Sequence, residues 1–445
     1  MAEYRCSPPW SEWAKALAIW LHGRCQWRLP VLLTGVLFAG GRRTVASWLR
    51  AAGVTDGWKA YYYFISSIGR KSEWMAHGLM RLLRERLPSR PRLLFALDDT
   101  PTARYGPKVE GAGIHHNPTP GPADSRYVYG HIWVTLALIV RHPLWGTLGL
   151  PLLAQLYIRL KDISKLPRHY HWAFATKLQQ AVELIRWAAQ EAALAGQPVW
   201  IVTDGFYAKR PVFKEVRARG AVLIGRLRKD AALWTLPPPL KPGQRRGRGQ
   251  PRKYGTQRIS LAKRAGSPRG WSEVECVQYG QPVRKPVKTF LATYRPAYGT
   301  IRVVIVREST GPQFFFATDP GVSAAEILEA FADRAAIEQV FHDVKEVEGA
   351  GQQQVRHLWA NIGAWHLNLW VHTLVELWAW KKPQRQICDR SASPWDHPDR
   401  RPSHADRRKA LRRCMLRAEY SAHARRRPWP RKIRALFQEL LKLAG

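Results

Sequence analysis

Residues 93–99 read LLFALDD, five apolar residues running directly into two carboxylates. A run this short, set off upstream by Pro88 and Pro91, predicts a buried strand, Leu93–Leu97, with Asp98 at its end. The pattern recurs at PVWIVTDG, a buried strand Val199–Thr203 with Asp204 at its end. Between the two, HIWVTLALIV (131–140) and TLGLPLLAQLYI (147–158) are apolar runs joined by RHPLWG, two strands of an antiparallel meander. Residues 170–195 have helical periodicity and stop at Gly196, the residue type that most often closes a helix. After Asp204 come a short helix, Pro211–Arg219, and a fifth strand, Ala221–Leu227.

The order strand, strand, strand, helix, strand, helix, strand predicts an α/β fold, a ribonuclease-H-like mixed sheet with helices on both faces. In that layout the first and fourth strands are neighbours, so Asp98 and Asp204 emerge side by side. A third carboxylate is expected from the segment Ala324–Val347, AAEILEAFADRAAIEQVFHDVKEV, read as one helix. At about 100° per residue, Phe331, Arg334, Glu338 and Lys345 fall on a stripe roughly 60° wide. Ile337, Val340, Phe341 and Val344 fill the neighbouring sector and can pack on a core. Taken alone, each element has an ordinary reading. An Asp at a strand end is usually a turn or cap residue, and Arg334 and Glu338 at i,i+4 suit a surface ion pair. Three carboxylates in the order the layout requires are harder to obtain by accident.

Composition narrows the partners. The chain has 445 residues, with 71 Lys and Arg against 33 Asp and Glu, a formal charge of +38. So one-sided a field fits a polyanion, nucleic acid before an anionic membrane surface, and excludes an enzyme of small neutral substrates with no polyanionic partner. The one apolar stretch of bilayer length, 358–380, is interrupted by Asn361, His366, Asn368, His372 and Glu376. No secretory signal opens the chain, and its five cysteines (Cys6, Cys25, Cys276, Cys388, Cys414) form no CxxC pair. A reduced, cytoplasmic and nucleoid-associated setting is expected, without structural zinc. The paired His115 and His116 lack a partner at ligand spacing.

The remaining segments suggest five regions. Residues 1–88 read as short helices (10–20, 30–39, 44–52, 72–87) carrying Arg42, Arg43, Arg50, Lys59, Arg70 and Lys71, the region expected to dock on DNA. Residues 89–229 hold the first part of the core. Within 230–320, residues 241–264 contain nine Lys or Arg and no acid, a flexible basic loop. Lys241, Arg245, Arg246, Arg248, Arg252 and Lys253 are its candidate DNA contacts. Three strands (283–293, 301–306, 313–317) then make the insertion β-rich. Residues 321–380 complete the core, with Arg356 as a further DNA contact and a Trp-rich helix whose rings belong inside. The tail, 381–445, carries 17 basic and 5 acidic residues between 381 and 432, which predicts an irregular segment until bound, followed by a terminal amphipathic helix.

Asp98, Asp204 and Glu338 on adjoining elements suit Mg²⁺ or Mn²⁺, with room for two ions and for substrate phosphate. Arg334 and Lys345 would grip flanking phosphates. In these residues the chain resembles the DDE transposases of bacterial insertion sequences, the branch marked by Y-x2-R-x3-E-x6-K. Phe331, Arg334, Glu338 and Lys345 match that spacing, with phenylalanine in place of the signature tyrosine. DDT at 98–100 resembles the family's D-x-T, which favours Asp98 over Asp99 as the ligand, and VTDGFY its second aspartate. The resemblance implies cleavage at transposon ends, strand transfer of the 3′-hydroxyl into target DNA, and a homodimer on DNA. A catalytically inactive DNA-binding derivative and a nuclease of the same fold without strand transfer are the alternatives.

Overall fold

In a computed structural model of the chain, residues 8–117, 125–238, 250, 252–388, 390, 395–397, 399–426 and 430–443 are described. The ribonuclease-H-like sheet is formed by β1 (Leu93–Ala103), β3 (Tyr127–His142), β4 (Gly146–Tyr157), β5 (Val199–Thr203) and β6 (Val222–Arg226), with the short β2 (Gly113–His116) against the start of β3. Across the sheet the order is β4, β3, β1, β5, β6. The β1–β3 and β3–β4 pairs are antiparallel, whereas β1–β5 and β5–β6 are parallel. The parallel pairs require crossovers, and the helices Lys177–Ala195 and Arg210–Ala218 supply them. Thr176 and Gln179 form a capping box at the start of the first of these helices, and Gly196, at φ 62°, closes it.

Alternation along the strands sorts the two faces. Phe95, Leu97, Ile201 and Leu223 belong to the main core, while Ala96, Val202 and Ile224 belong to a second core built with Ile327, Ala336, Ile337 and Phe341. The segment expected to carry Glu338 therefore covers the second face, and the small side chain of Ala96 lets it come close.

Three sequence expectations change. β1 does not stop at Leu97 but continues to Ala103, because β3 is long enough to pair with it throughout, as far as Ala103 opposite Gly130. The β-rich insertion does not sit apart. β12 (Gly311–Ala317) pairs with β6, and β11 (Gly299–Glu308) and β10 (Gln281–Tyr294) follow, so the sheet grows to 12 strands. Its remaining strands are β9 (Ser272–Gln278), paired with β10, and the two-residue pieces β7 (Leu233–Trp234) and β8 (Arg258–Ile259). The tail is not irregular throughout: among the described residues His404–Arg426 is helical. His404, Arg407 and Arg408 are buried, held by Glu348 and Glu376. A sequence count of charges could not foresee that partnership.

The amino-terminal residues form helices Pro8–Ala18, Arg28–Phe38, Val45–Ala51, Trp58–Arg70 and Ser72–Arg86, of which the fourth was missed in the sequence. That helix lies against Leu358–Ala379, the Trp-rich helix, whose Trp365 and Trp370 are fully buried as expected. Gly69 and Gly363 meet at the crossing. A methyl group at the first would strike the Trp359 carbonyl, and one at the second the Ile65 carbonyl. Backbone cannot yield as a flexible side chain can. Gly363→Ala is therefore expected to lower stability by about 1–3 kcal/mol, while Gly40→Ala, which meets open space, changes it little. Thermal denaturation of the two variants checks this.

Candidate active site

Asp98 shares the face of Ala96, and Asp204 that of Val202. Their predecessors Leu97 and Thr203 are paired in register across β1 and β5. The two carboxylates thus project from neighbouring strands toward the same covering helices. Asp99, one residue on, must point the other way. There its Oδ2 accepts from Lys177 Nζ at 2.5 Å and its Oδ1 from the Tyr207 hydroxyl at 2.7 Å.

The segment 324–347 is helical but not one helix. It runs as Ala324–Asp333, an irregular junction at Arg334, Ala335–His342, and a π-helical turn, Asp343–Val347. Ser323 and Glu326 form a capping box at its start. Gly149 on β4 leaves room for the second piece, since a methyl group there would strike Val340 and the Ala336 carbonyl. Helical backbone persists through Arg334 (φ −54°, ψ −31°), so Arg334 and Glu338 keep their i,i+4 relation. The Arg334 guanidinium lies between two carboxylates. Nη1 donates to Asp98 Oδ2 at 2.7 Å and Nη2 to Glu338 Oε1 at 2.6 Å. The structure brings Asp98, Asp204, Glu338 and Arg334 together. Glu338 is largely exposed, Asp98 only about a fifth so, with side-chain exposures of 59% and 19%.

The electrostatics follow from that placement. Burial pushes the Asp98 carboxyl up to about 7, with Arg334 pulling it down and Asp204 adding to the rise. Burial also raises Asp204, against the Tyr207 and Phe206 backbone N–H groups that donate to its Oδ1. Carboxylates held so reluctantly in their charged form favour a cation beside them, and here a guanidinium already occupies that place for Asp98 and Glu338. The donor set, three carboxylates without thiolate or imidazole, fits a hard divalent cation.

The other predicted residues divide. Lys345 sits in the π turn, and burial lowers its ammonium; Nζ donates to Thr100 Oγ1 at 3.0 Å, on the same face of β1 as Asp98. Phe331 packs against Phe315 of β12, with ring centroids 4.8 Å apart, and carries the Arg334 guanidinium at 5.4 Å from its own. Arg356 is exposed beyond the β1 end, and Arg252 and Lys253 are exposed in the insertion. Lys241, Arg245, Arg246 and Arg248 lie outside the described residues. Sequence reasoning did not assign Lys177 and Tyr207. Tyr207 was visible within VTDGFY; Lys177 carried no motif.

A second cluster, Asp343, His372 and His404, has ligand atoms within 4.8 Å of one another and could hold a metal ion. Its surroundings favour another balance. His404 Nδ1 bonds Glu376 at 2.6 Å and Nε2 bonds Glu348 at 2.9 Å. Arg407 and Arg408 pair with the same two carboxylates. With His404 as imidazolium, Glu348 and Glu376 are already supplied with positive charge by His404, Arg407 and Arg408.

Residues 21–289, more than half of the chain, match the family described as DDE superfamily endonuclease, and the chain belongs to that family. The matched span includes Asp98 and Asp204 and ends before Glu338. A comparison with curated proteins gives no match. Family and fold together make this a phosphodiester-cleaving enzyme of the DDE class, with DNA as the substrate the family implies. Among the described residues no helix is long and apolar enough to cross a membrane.

Proposed function

We propose that the protein is a DNA transposase, which cleaves phosphodiesters at the ends of its own element and joins the freed 3′-hydroxyl to target DNA. The observation that carries this reading is the gathering of Asp98, Asp204 and Glu338 around one position already held by a cationic group. The +38 charge and the placement of Lys345 beside the same strand support it. Asp98, Asp204 and Glu338 would hold Mg²⁺ or Mn²⁺, one ion or two. Such ions, when bound, activate a water or 3′-hydroxyl and offset charge on the leaving oxygen.

The chain's own residues supply the rest. Arg334 must release Asp98 Oδ2 when another cation takes its place, and its freed guanidinium is then free to hold a scissile-strand phosphate. Lys345, tethered to Thr100, presents an ammonium two residues along β1 from Asp98, where it can balance charge on the phosphate. Lys177 and Tyr207 fix Asp99 and so hold the carboxyl end of the strand that presents Asp98. The apolar Phe331 ring keeps Arg334 oriented without donating a hydrogen bond of its own. A homodimer bridging two ends fits the need for each site to meet both donor and target.

The test is incubation with Mg²⁺ and the DNA that flanks the reading frame on both sides, in which the proposal expects short inverted repeats. Nicks at the repeat boundary together with joined strand-transfer products are expected. Nicks with no joined product favour a nuclease that does not transfer strands, and binding with no cleavage in Mg²⁺ or Mn²⁺ favours an inactive DNA-binding derivative.

A further inference from the structure

Where the amino-terminal helices meet the far end of β1, the structure holds a cavity of about 430 Å³. Its wall is built rather than incidental. The Arg104 guanidinium is buried with no carboxylate partner among the described residues; Nη1 donates to the Gly351 carbonyl at 2.8 Å and the Gln353 carbonyl at 3.1 Å, and Nε to His131 Nδ1 at 3.1 Å. Burial lowers that guanidinium to about 10. Gln352 accepts from the Arg43 backbone N–H at 2.8 Å, and Gln353 donates to the Arg43 and Gly349 carbonyls. Three separate stretches, around residues 43, 104 and 352, are thus fastened into one surface.

The lining has two characters. Val109 and Val355 are apolar, and the Tyr105 ring is 79% exposed. Arg42, Lys108 and Arg356 are exposed cations with no carboxylate at ion-pair distance among the described residues. Glu110, two residues from Lys108, is engaged by the Tyr170 hydroxyl and the Leu358 N–H. An apolar floor, one aromatic face and three unpaired cations suit a nucleotide: a base against the ring and its phosphates on the cations. A cavity of about 430 Å³ admits one nucleotide and not a duplex. β1 also sets the distance. From Asp98 to Ala103 is five strand steps of about 3.3 Å, roughly five base-pair steps at 3.4 Å.

We infer that this cavity receives a single unpaired nucleotide of the DNA strand that leaves the Asp98–Asp204–Glu338 site, about five positions from the reacting phosphate. The inference rests on the reading of the chain as a DNA-processing enzyme and adds a strand-specific contact to it. It gives Arg356 a partner, and places Arg42 and Lys108 on the same strand.

The test uses the full chain, in chelator so that no cleavage is required, with a duplex bearing a single-stranded thymidine extension that carries 5-iodouracil at each position in turn. Ultraviolet crosslinking followed by peptide mapping should place a crosslink on Tyr105 and lose it in Tyr105→Ala. The double variant Lys108→Ala/Arg356→Ala should weaken binding of the extension at least tenfold. Its log–log salt slope should shrink by about 0.7 for each lost single-strand phosphate contact. Crosslinks only elsewhere, or wild-type affinity and salt slope in the double variant, overturn the inference. Asp204→Asn should crosslink as the wild type does. A chain that crosslinks at Tyr105 but never cleaves would sink the catalytic reading alone, and one that cleaves without that crosslink would sink the cavity alone.

Discussion

Asp98→Asn is expected to reduce metal-dependent strand cleavage by on the order of 10³-fold while leaving the fold nearly as stable as before. The amide keeps the shape of the carboxyl but removes the charge that a divalent cation needs. Stability changes little because two effects oppose each other. Burial pushes the Asp98 carboxyl up to about 7, so holding it charged at neutral pH carries a cost that the amide relieves. Against this, Arg334 exchanges a charged acceptor for a neutral one, with Glu338 Oε1 still in place. Asp99→Asn should behave in the opposite way. That side chain faces Lys177 and the buried Tyr207 across the sheet, so its loss should cost more stability and, by comparison, only about tenfold in rate. Nicking rates on one DNA substrate, beside melting curves for both variants, give the comparison. Equal rate losses would mean that strand alternation does not separate the two aspartates.

The second large effect lies away from the chemistry. Glu376→Ala removes the carboxylate shared by His404 and Arg407, all three buried. Two cationic groups then lose a partner that water cannot replace, and about 3–5 kcal/mol of stability should go with it. The same network predicts a pH dependence. Burial opposes the His404 imidazolium, yet its hydrogen bonds to Glu348 and Glu376 and the charges of those two acids outweigh burial and hold it at about 9, above its ordinary 6.5. A raised imidazolium contributes its full stabilisation below about pH 6.5 and loses it as the pH climbs through 9. Over that interval the loss is about 3 kcal/mol. Glu376 is held at about 2, below the ordinary 4.5: burial would raise it, but Arg407 and His404 overcome that. Its contribution is complete above about pH 4.5 and disappears as the pH falls toward 2. Melting temperatures of the wild type should therefore decline between pH 6.5 and 9. In His404→Gln the midpoint should start lower and vary less over the same range. Glu348 directly follows the π turn that carries Lys345, so loosening this cluster reaches the active site three positions back along the chain.

The core of the fold was legible in the sequence because its strands are buried on both faces and stand out as unbroken apolar runs. Val199–Thr203 matches the observed strand at both ends. The pairing of β1 with β5, on which the convergence of Asp98 and Asp204 depends, followed from element order alone. What escaped depended on partners distant in the chain. β1 looked complete at Leu97 because polar residues follow, and only the length of β3 keeps Asp98 to Ala103 in the sheet. The break at Arg334 and the π turn at 343–347 leave no mark in a periodicity of 3.6. The tail looked like a solvated charge run because the acids that bury His404, Arg407 and Arg408 lie 28 to 60 positions upstream. The D-x-T pattern had favoured Asp98 over Asp99, and the same preference is implicit in strand alternation: Asp98 shares its parity with Ala96, and Asp99 with Phe95 and Leu97. Using that parity requires knowing which face the later helix covers.

Binding of Mn²⁺ to the DNA-free protein, followed by electron paramagnetic resonance, tests the central claim most directly, because it needs neither the end sequence nor turnover. One or two sites per chain are expected in the wild type, with affinity lost or greatly weakened in Asp98→Asn, Asp204→Asn and Glu338→Gln alike and retained in His372→Gln. Mn²⁺ binding unchanged by all three carboxylate substitutions, or abolished by His372→Gln alone, would contradict the account.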